Sequence, residues 1–524
     1  MDTGWYGRTL LIAADAYWPS GGRRLGFRYH SYELNSKSYW NVIELGTAST
    51  YIIDNLNKIN VYKQYVMNRI GWLIALVFLA TNMQCGESRK KTRTAEEVVP
   101  ANALRAYLDN SDASFSWELE HTSEHNGNMI YQIELISQTW RDFIWKHSLS
   151  IVVPREIAAD DALLFISGGS NSGTSLHPVM DDETLQAVDA IARENKAITA
   201  LIKQVPNQPL FEGRTEDEII SYTLHNYKKD GDLSWPLLFP MVKSVVKAMD
   251  AVQDFAESQV GRPVNDFLLT GYSKRGWTTW LTGASDERVK AIAPSVIDVL
   301  NMPLNVDYQV QTWGDYSIEI QDYVRLGIAQ DINSPSGKEL VTMIDPFSYR
   351  EALDMPKLIF IGTNDPYWLV DAVKNYFDQL PGENYIFYTP NAGHGLRDGE
   401  EATPVLSEFF GDMIDDSAYP VFTYEYDRDE EGLRISISSE QPVKQIEQWV
   451  AHSTDRDFRD DQWTMVPASP DETGRFSTTV AHPEKGFLAI YWNVVYEGDV
   501  RSRYPLSTRT FVAGKDSVYL DKME

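Results

Sequence analysis

The residues Asn265 to Pro294, NDFLLTGYSKRGWTTWLTGASDERVKAIAP, constrain this chain more than any other stretch. A short apolar run, Phe267 to Leu269, meets a Gly-x-Ser turn at Gly271, Tyr272 and Ser273, and small and aromatic residues then recur at helical spacing from Gly276 to Ala284. The order is strand, sharp turn, helix. A serine on such a turn is held in a strained backbone, lifts its Oγ above the sheet, and leaves the following N–H at a helix N-terminus aimed at a developing oxyanion. Ser273 is therefore the expected nucleophile. The common elbow is Gly-x-Ser-x-Gly, whereas here Arg275 takes the last place and the glycine comes one later, at Gly276. Taken alone, one Gly-x-Ser among 32 glycines is weak, because a turn before an ordinary helix reads the same way.

Two downstream segments supply what a serine nucleophile needs. In KLIFIGTNDPYW an apolar strand, Leu358 to Ile361, ends in a turn carrying Asp365, and in NYIFYTPNAGHGL a second strand leads to His394 between Gly393 and Gly395. Nucleophile, acid, histidine is the chain order of α/β-hydrolases; other serine-hydrolase folds use other orders. In that arrangement His394 takes the Ser273 proton and returns it to the leaving group, while Asp365 sets the imidazole tautomer. Upstream, the strand Ala162 to Ile166 runs into SGGSNSG, Ser167 to Gly173. A glycine pair after this strand lets backbone N–H groups approach a substrate carbonyl. Gly168, Gly169 and Ser170 are thus expected in the oxyanion hole with the Lys274 N–H.

With 524 residues, 43% of them hydrophobic, the chain has enough for a large core and two or three domains. Nine histidines stand singly, without a spacing that would hold zinc on a helix face, so neither a metal nor another cofactor is expected. The balance of 47 basic against 75 acidic residues repels polyanions, which makes nucleic acid a poor partner, and it also suits a saline habitat.

Residues 1 to 66 differ from the rest, with five acidic and seven basic residues. Then follow Met67, Arg69, an apolar run from Ile70 to Ala80, and Cys85, which is the only cysteine. A basic start, a short apolar core and a polar end describe a secretory signal, too short to span a bilayer comfortably. Cys85 resembles a lipoprotein acceptor, although Asn82, Met83 and Gln84 are a poor lipobox. The expectation is that 1–66 is a mis-called extension, 67–85 a signal, and 86–102 a tether, giving an exported cell-envelope protein whose membrane contact is this anchor.

The α/β part is expected over 103–415. Strands fall at Met129 to Ile136 and Ser148 to Val153, with helices at Asp182 to Asn195, Asp217 to Tyr227, Leu237 to Ser258 and Glu401 to Asp412. Trp140, Trp145 and His147 are read as core. Residues 301–345 interrupt the alternation with aromatics, where such folds carry a lid. After Tyr419, short alternating β runs divided by turns predict a β-sandwich-like domain over 420–520.

The strings SQTWRDFIWKHSLSIVVP, VPNQPL, GYSKRGWTTWLTGASDERVKAIAP, GTNDPYW, NAGHG and STDRDFRDDQW together resemble the PhoPQ-activated pathogenicity-related family from about Ala103 onward. In that family Ser-Lys-Arg-Gly-Trp is the usual elbow. The resemblance implies an exported or surface-associated α/β-hydrolase-like protein with Ser273, Asp365 and His394 at the triad positions, and it names no substrate. A hydrolase of this kind would cleave an ester or a peptide bond of a small substrate. Ser273-Lys274-Arg275-Gly276 is also similar to the Ser-Arg-x-Gly elbow of glucuronoyl esterases, in which a cation beside the nucleophile faces an oxyanion; the resemblance gives that role to Lys274. The alternatives are a non-enzymatic surface-binding protein on the same scaffold and an interaction module acting through the C-terminal strands.

Overall fold

The parallel core is written in short, continuously apolar strands. Ala162–Ile166 (ALLFI) and Ile198–Ile202 (ITALI) are buried at every position, the pattern of strands covered on both faces. The computed structural model describes residues 11–17, 26–32, 97–172, 180–415, 419–471, 475–498 and 504–521. The signal segment 67–85 with Cys85, most of the expected extension, tether residues 86–96 and Gly173 lie outside the described residues. Leu11–Tyr17 and Gly26–Tyr32 pair antiparallel within a unit distinct from 97–524.

Within 97–524 the strands in chain order are β1 (Ser116–His125), β2 (Asn128–Trp140), β3 (Phe143–Val153), β4 (Ala162–Ile166), β5 (Ile198–Ile202), β6 (Phe267–Tyr272), β7 (Val289–Ser295), β8 (Lys357–Gly362) and β9 (Asn384–Thr389). They lie in the order β1-β2-β3-β5-β4-β6-β7-β8-β9, antiparallel as far as β5 and parallel from β5 to β9. The order reverses at β4 and β5, so the loop after β4 and the turn after β6 open at the same carboxyl edge, where such sheets bind ligands. The antiparallel hairpins turn where the backbone takes positive φ, at Asn126 and Gly127 (50° and 86°) and at Arg141 and Asp142 (47° and 66°). Only the first of these turns carries the Asn-Gly signature.

Helices cover both faces: α1 (Glu183–Asn195), α2 (Glu216–Asp230), α3 (Leu238–Phe255), α4 (Lys274–Gly283), α5 (Met302–Trp313), α6 (Pro335–Ile344) and α7 (Ala402–Ile414). The Asp182 side chain caps α1 by accepting from Leu185 N at 3.1 Å. Helix α2 opens with Glu216, Asp217 and Glu218 and closes on Gly231 in the left-handed region, matching charge and backbone to the helix dipole and its C-terminus. All ten residues of α4 are buried. Trp140 and Trp145 sit in the core, 3% and 0% exposed. His147 is equally buried, with Ser137 Oγ 3.0 Å from Nε2 and Lys203 O 3.1 Å from Nδ1, a satisfied core histidine whose pKa burial pushes down to about 4.

Beyond 419 come β10 (Phe422–Arg428), β11 (Gly432–Ser439), β12 (Gln445–Ser453), β13 (Thr464–Ala468), β14 (Arg475–Ala481), β15 (Phe487–Tyr496), β16 (Tyr504–Ser507), β17 (Phe511–Gly514) and β18 (Ser517–Val518). The strands β10, β11 and β14 form a separate antiparallel sheet. The others prolong the central sheet, because β16 pairs antiparallel with β9 through Ile386 and Ser507.

Candidate functional site

Ser273 stands between β6 and α4 with φ 58° and ψ −126°, a region that L-residues seldom occupy. Its N–H donates to Ser295 O on β7 at 2.8 Å, and its carbonyl accepts from Trp277 N at 3.0 Å, which fixes the turn from both sides. The displaced glycine has a steric reason: a Cβ on Gly276 would lie 2.7 Å from Ile297 Cγ2 and 2.9 Å from Gly271 O. The close approach of helix to strand therefore falls at Gly276, and the place before it is free to carry Arg275.

Asp365 follows β8 and His394 follows β9. The His394 Nδ1–H donates to Asp365 Oδ2 at 2.8 Å, while Oδ1 accepts from Tyr367 N at 2.9 Å. Asp365 is 4% exposed, and each oxygen of this buried carboxylate has a partner. The Tyr367 ring stacks on the imidazole with centroids 4.1 Å apart and planes at 29°. With Nδ1 committed as the donor, Nε2 is left as the acceptor. Nε2 is buried without a hydrogen-bond partner, and His394 and Ser273 line one cavity. The Ser–His contact is thus open, as is common before substrate tightens it.

The Lys274 N–H belongs to the first turn of α4, beside Ser273. Gly168 lines a cleft of mixed polarity together with Ser273 and Arg275, and a Cβ there would lie 2.5 Å from Arg275 Nη2. Gly169, at φ 142°, accepts from Gln208 Nε2 at 2.9 Å, and Ser170 Oγ lies 2.5 Å from Ser172 Oγ; neither residue lines that cleft. Of the three, Gly168 is the one that lines a cleft with Ser273.

The two cations after the nucleophile are held by acids on α2 that sequence reasoning missed. Lys274 Nζ lies 3.0 Å from Glu216 Oε2 and 3.1 Å from Asp217 Oδ2, which turns the ammonium to these carboxylates rather than to an oxyanion. Arg275 forks onto Glu216, Nη1 to Oε2 at 2.8 Å and Nη2 to Oε1 at 2.6 Å, and its Nε donates to Val205 O at 2.6 Å. Burial pulls the Glu216 pKa upward, but Arg275, Lys274 and Gln208 outweigh it and hold the group at about 2. The only local hint was the acidic first turn of α2.

The C-terminal segment reaches both loops of the acid–histidine pair. Asn364 Nδ2 donates toward Asp461 O at 2.8 Å, Phe458 O at 3.1 Å and Arg459 O at 3.2 Å. Asn391, near His394, pairs with the Trp463 backbone, receiving N–H at 2.7 Å and donating to O at 3.0 Å. Among the described residues no three His, Cys, Asp or Glu side chains gather as a metal site.

A mostly parallel sheet flanked by helices, with a strained Gly-x-Ser elbow after β6 and a paired Asp and His on the loops after β8 and β9, defines an α/β-hydrolase fold. Solved structures that match part of this chain include acetyl xylan esterase 1 from Thermoanaerobacterium sp. JW/SL YS485, 14% identical, covering 60% of this chain and 93% of its own with a TM-score of 0.42. Another is an S-formylglutathione hydrolase from Agrobacterium tumefaciens, 11% identical, covering 57% of this chain and 99% of its own with a TM-score of 0.38. Residues 104–459 match the PhoPQ-activated pathogenicity-related proteins, and this chain belongs to that family. Autocrine proliferation repressor protein A of Dictyostelium discoideum is 31% identical over 451 residues, 78% of this chain and 90% of that protein.

Proposed function

We propose that this chain is a serine hydrolase that cleaves an ester or peptide bond in a small substrate through an acyl-enzyme. The observation that carries the reading is the buried His394 Nε2, oriented by Asp365 and opening into the cavity that Ser273 lines. Ser273 Oγ attacks the carbonyl carbon as His394 Nε2 takes its proton. The oxygen, now negative, sits at the N-terminus of α4 against the Lys274 N–H, with Gly168 on the facing side. Collapse expels the leaving group, which receives the proton from His394 and leaves the acyl group on Ser273. Water, deprotonated by His394, then releases the acid and restores the serine. Asp365 stabilises the imidazolium formed in each half.

The signal-like segment 67–85 with Cys85 supports an exported, envelope-anchored protein. The name of the Dictyostelium relative favours a second reading, a secreted factor acting by binding on the same scaffold. A fluorophosphonate probe separates the two. Labelling of the folded full-length chain, lost in Ser273→Ala and in His394→Ala, is the expected result. A folded wild type that takes no label would leave the binding reading.

A further inference from the structure

From the two spaces that meet at Ser273, we infer that the hydrolase carries an acyl pocket for an apolar chain of roughly four to eight carbons. This inference rests on the hydrolytic reading above.

The first space is the cavity that contains His394. Its walls come from α4 (Trp277) and from the 301–345 insertion, including Met302, Val306, Ile328 and Ile332. The two charged residues on its rim, Lys274 and Asp217, are spent on one another at 3.1 Å. A polar acyl group would therefore find few partners inside, and a buried polar group without a partner is disfavoured. The cavity has a volume of about 70 Å³. Since roughly 10–15 Å³ of such volume admits one water-sized group, it holds roughly five to seven heavy atoms.

The second space is the cleft of about 320 Å³ on the other side of Ser273, where Gly168, Thr184, Asp398 and Thr403 present polar groups. The chemistry assigns the halves of the substrate. The acyl group stays bonded to Ser273 through the intermediate, so it can occupy the smaller, apolar cavity. The leaving group must depart and water must take its place, which the larger cleft permits, provided the leaving-group oxygen and the attacking water meet His394 Nε2 at Ser273, where the two spaces join.

The test is a p-nitrophenyl ester series from acetyl to tetradecanoyl on the full-length chain, with fluorophosphonate labelling alongside. Each methylene buried in an apolar cavity contributes about fourfold, so kcat/KM is expected to climb by about two orders of magnitude from acetyl to hexanoyl and to fall beyond octanoyl. Two substitutions far from the triad in sequence carry opposite expectations. Val306→Phe shortens the preferred chain by two carbons or more, and Ile328→Ala lengthens it, each checked for folding by circular dichroism. General damage would lower all rates without moving the optimum in opposite senses. An acetyl optimum in a wild type that labels, or an optimum that neither variant moves, overturns the pocket while leaving the hydrolase. Absence of both labelling and ester turnover overturns the two together.

Discussion

Replacing Ser273 by glycine removes the nucleophile and should also make the protein more stable than replacing it by alanine. Both substitutions delete Oγ, so the comparison isolates Cβ. At φ 58° and ψ −126° a side chain holds the backbone in a sparsely populated region, at a cost of about 1–3 kcal/mol. Glycine relieves that strain but gains freedom in the unfolded chain, worth about 0.4–1 kcal/mol against it. The difference, Ser273→Gly over Ser273→Ala, is about 1 kcal/mol in favour of glycine. In a large chain this moves the melting temperature by about 2 °C. Urea denaturation read by tryptophan fluorescence, with the slopes equal, measures it directly. Alanine equal to or more stable than glycine would refute the account of a backbone strained to present a nucleophile, since nothing else separates the two residues here.

Two further expectations follow from the surroundings of the pair. Asn364→Asp keeps the shape but aims a carboxylate oxygen at the carbonyls of Phe458, Arg459 and Asp461. It should lose at least about 2 kcal/mol in urea denaturation and lower kcat, because the neighbouring residue is Asp365; full stability in this variant would mean that the C-terminal segment does not hold the loop. Asp298 is 3% exposed and its pKa is raised to about 7 by burial, with the Asp365 and Asp371 charges adding and the Tyr376 hydroxyl bond opposing. At Asp298 the folded protein thus holds a proton that the unfolded chain gives up between roughly pH 4 and 7. The Asp298 contribution to stability falls as pH rises through that window, and Asp298→Asn should remove it from denaturation curves taken across the window, with Asp345, also raised to about 7, keeping its own share.

The elements that carry the site were legible from local pattern. Ala162–Ile166 is a strand with the bounds its five apolar residues mark, and helix α1 begins one residue after the Asp182 that caps it. Asp365 and His394, chosen because each follows an apolar strand, are joined by a hydrogen bond of 2.8 Å. What stayed hidden joins residues far apart in the chain. Glu216 and Arg275 are separated by 59 positions, Asn364 and Asp461 by 97. Lys274 looked available to an oxyanion because its two acids stand on another helix.

The sequence by itself determined the elbow, the strand-end acid and histidine, and the family, since turn chemistry, apolar periodicity and contiguous motifs all act over a few residues. Tertiary structure alone decided that β16 extends the main sheet beside β9, that α2 neutralises both cations after the nucleophile, and that the 301–345 helices wall an apolar cavity. The reason is physical. Docking of elements across a sheet depends on complementary surfaces formed after local structure exists, and no window along the chain contains both halves of such a surface.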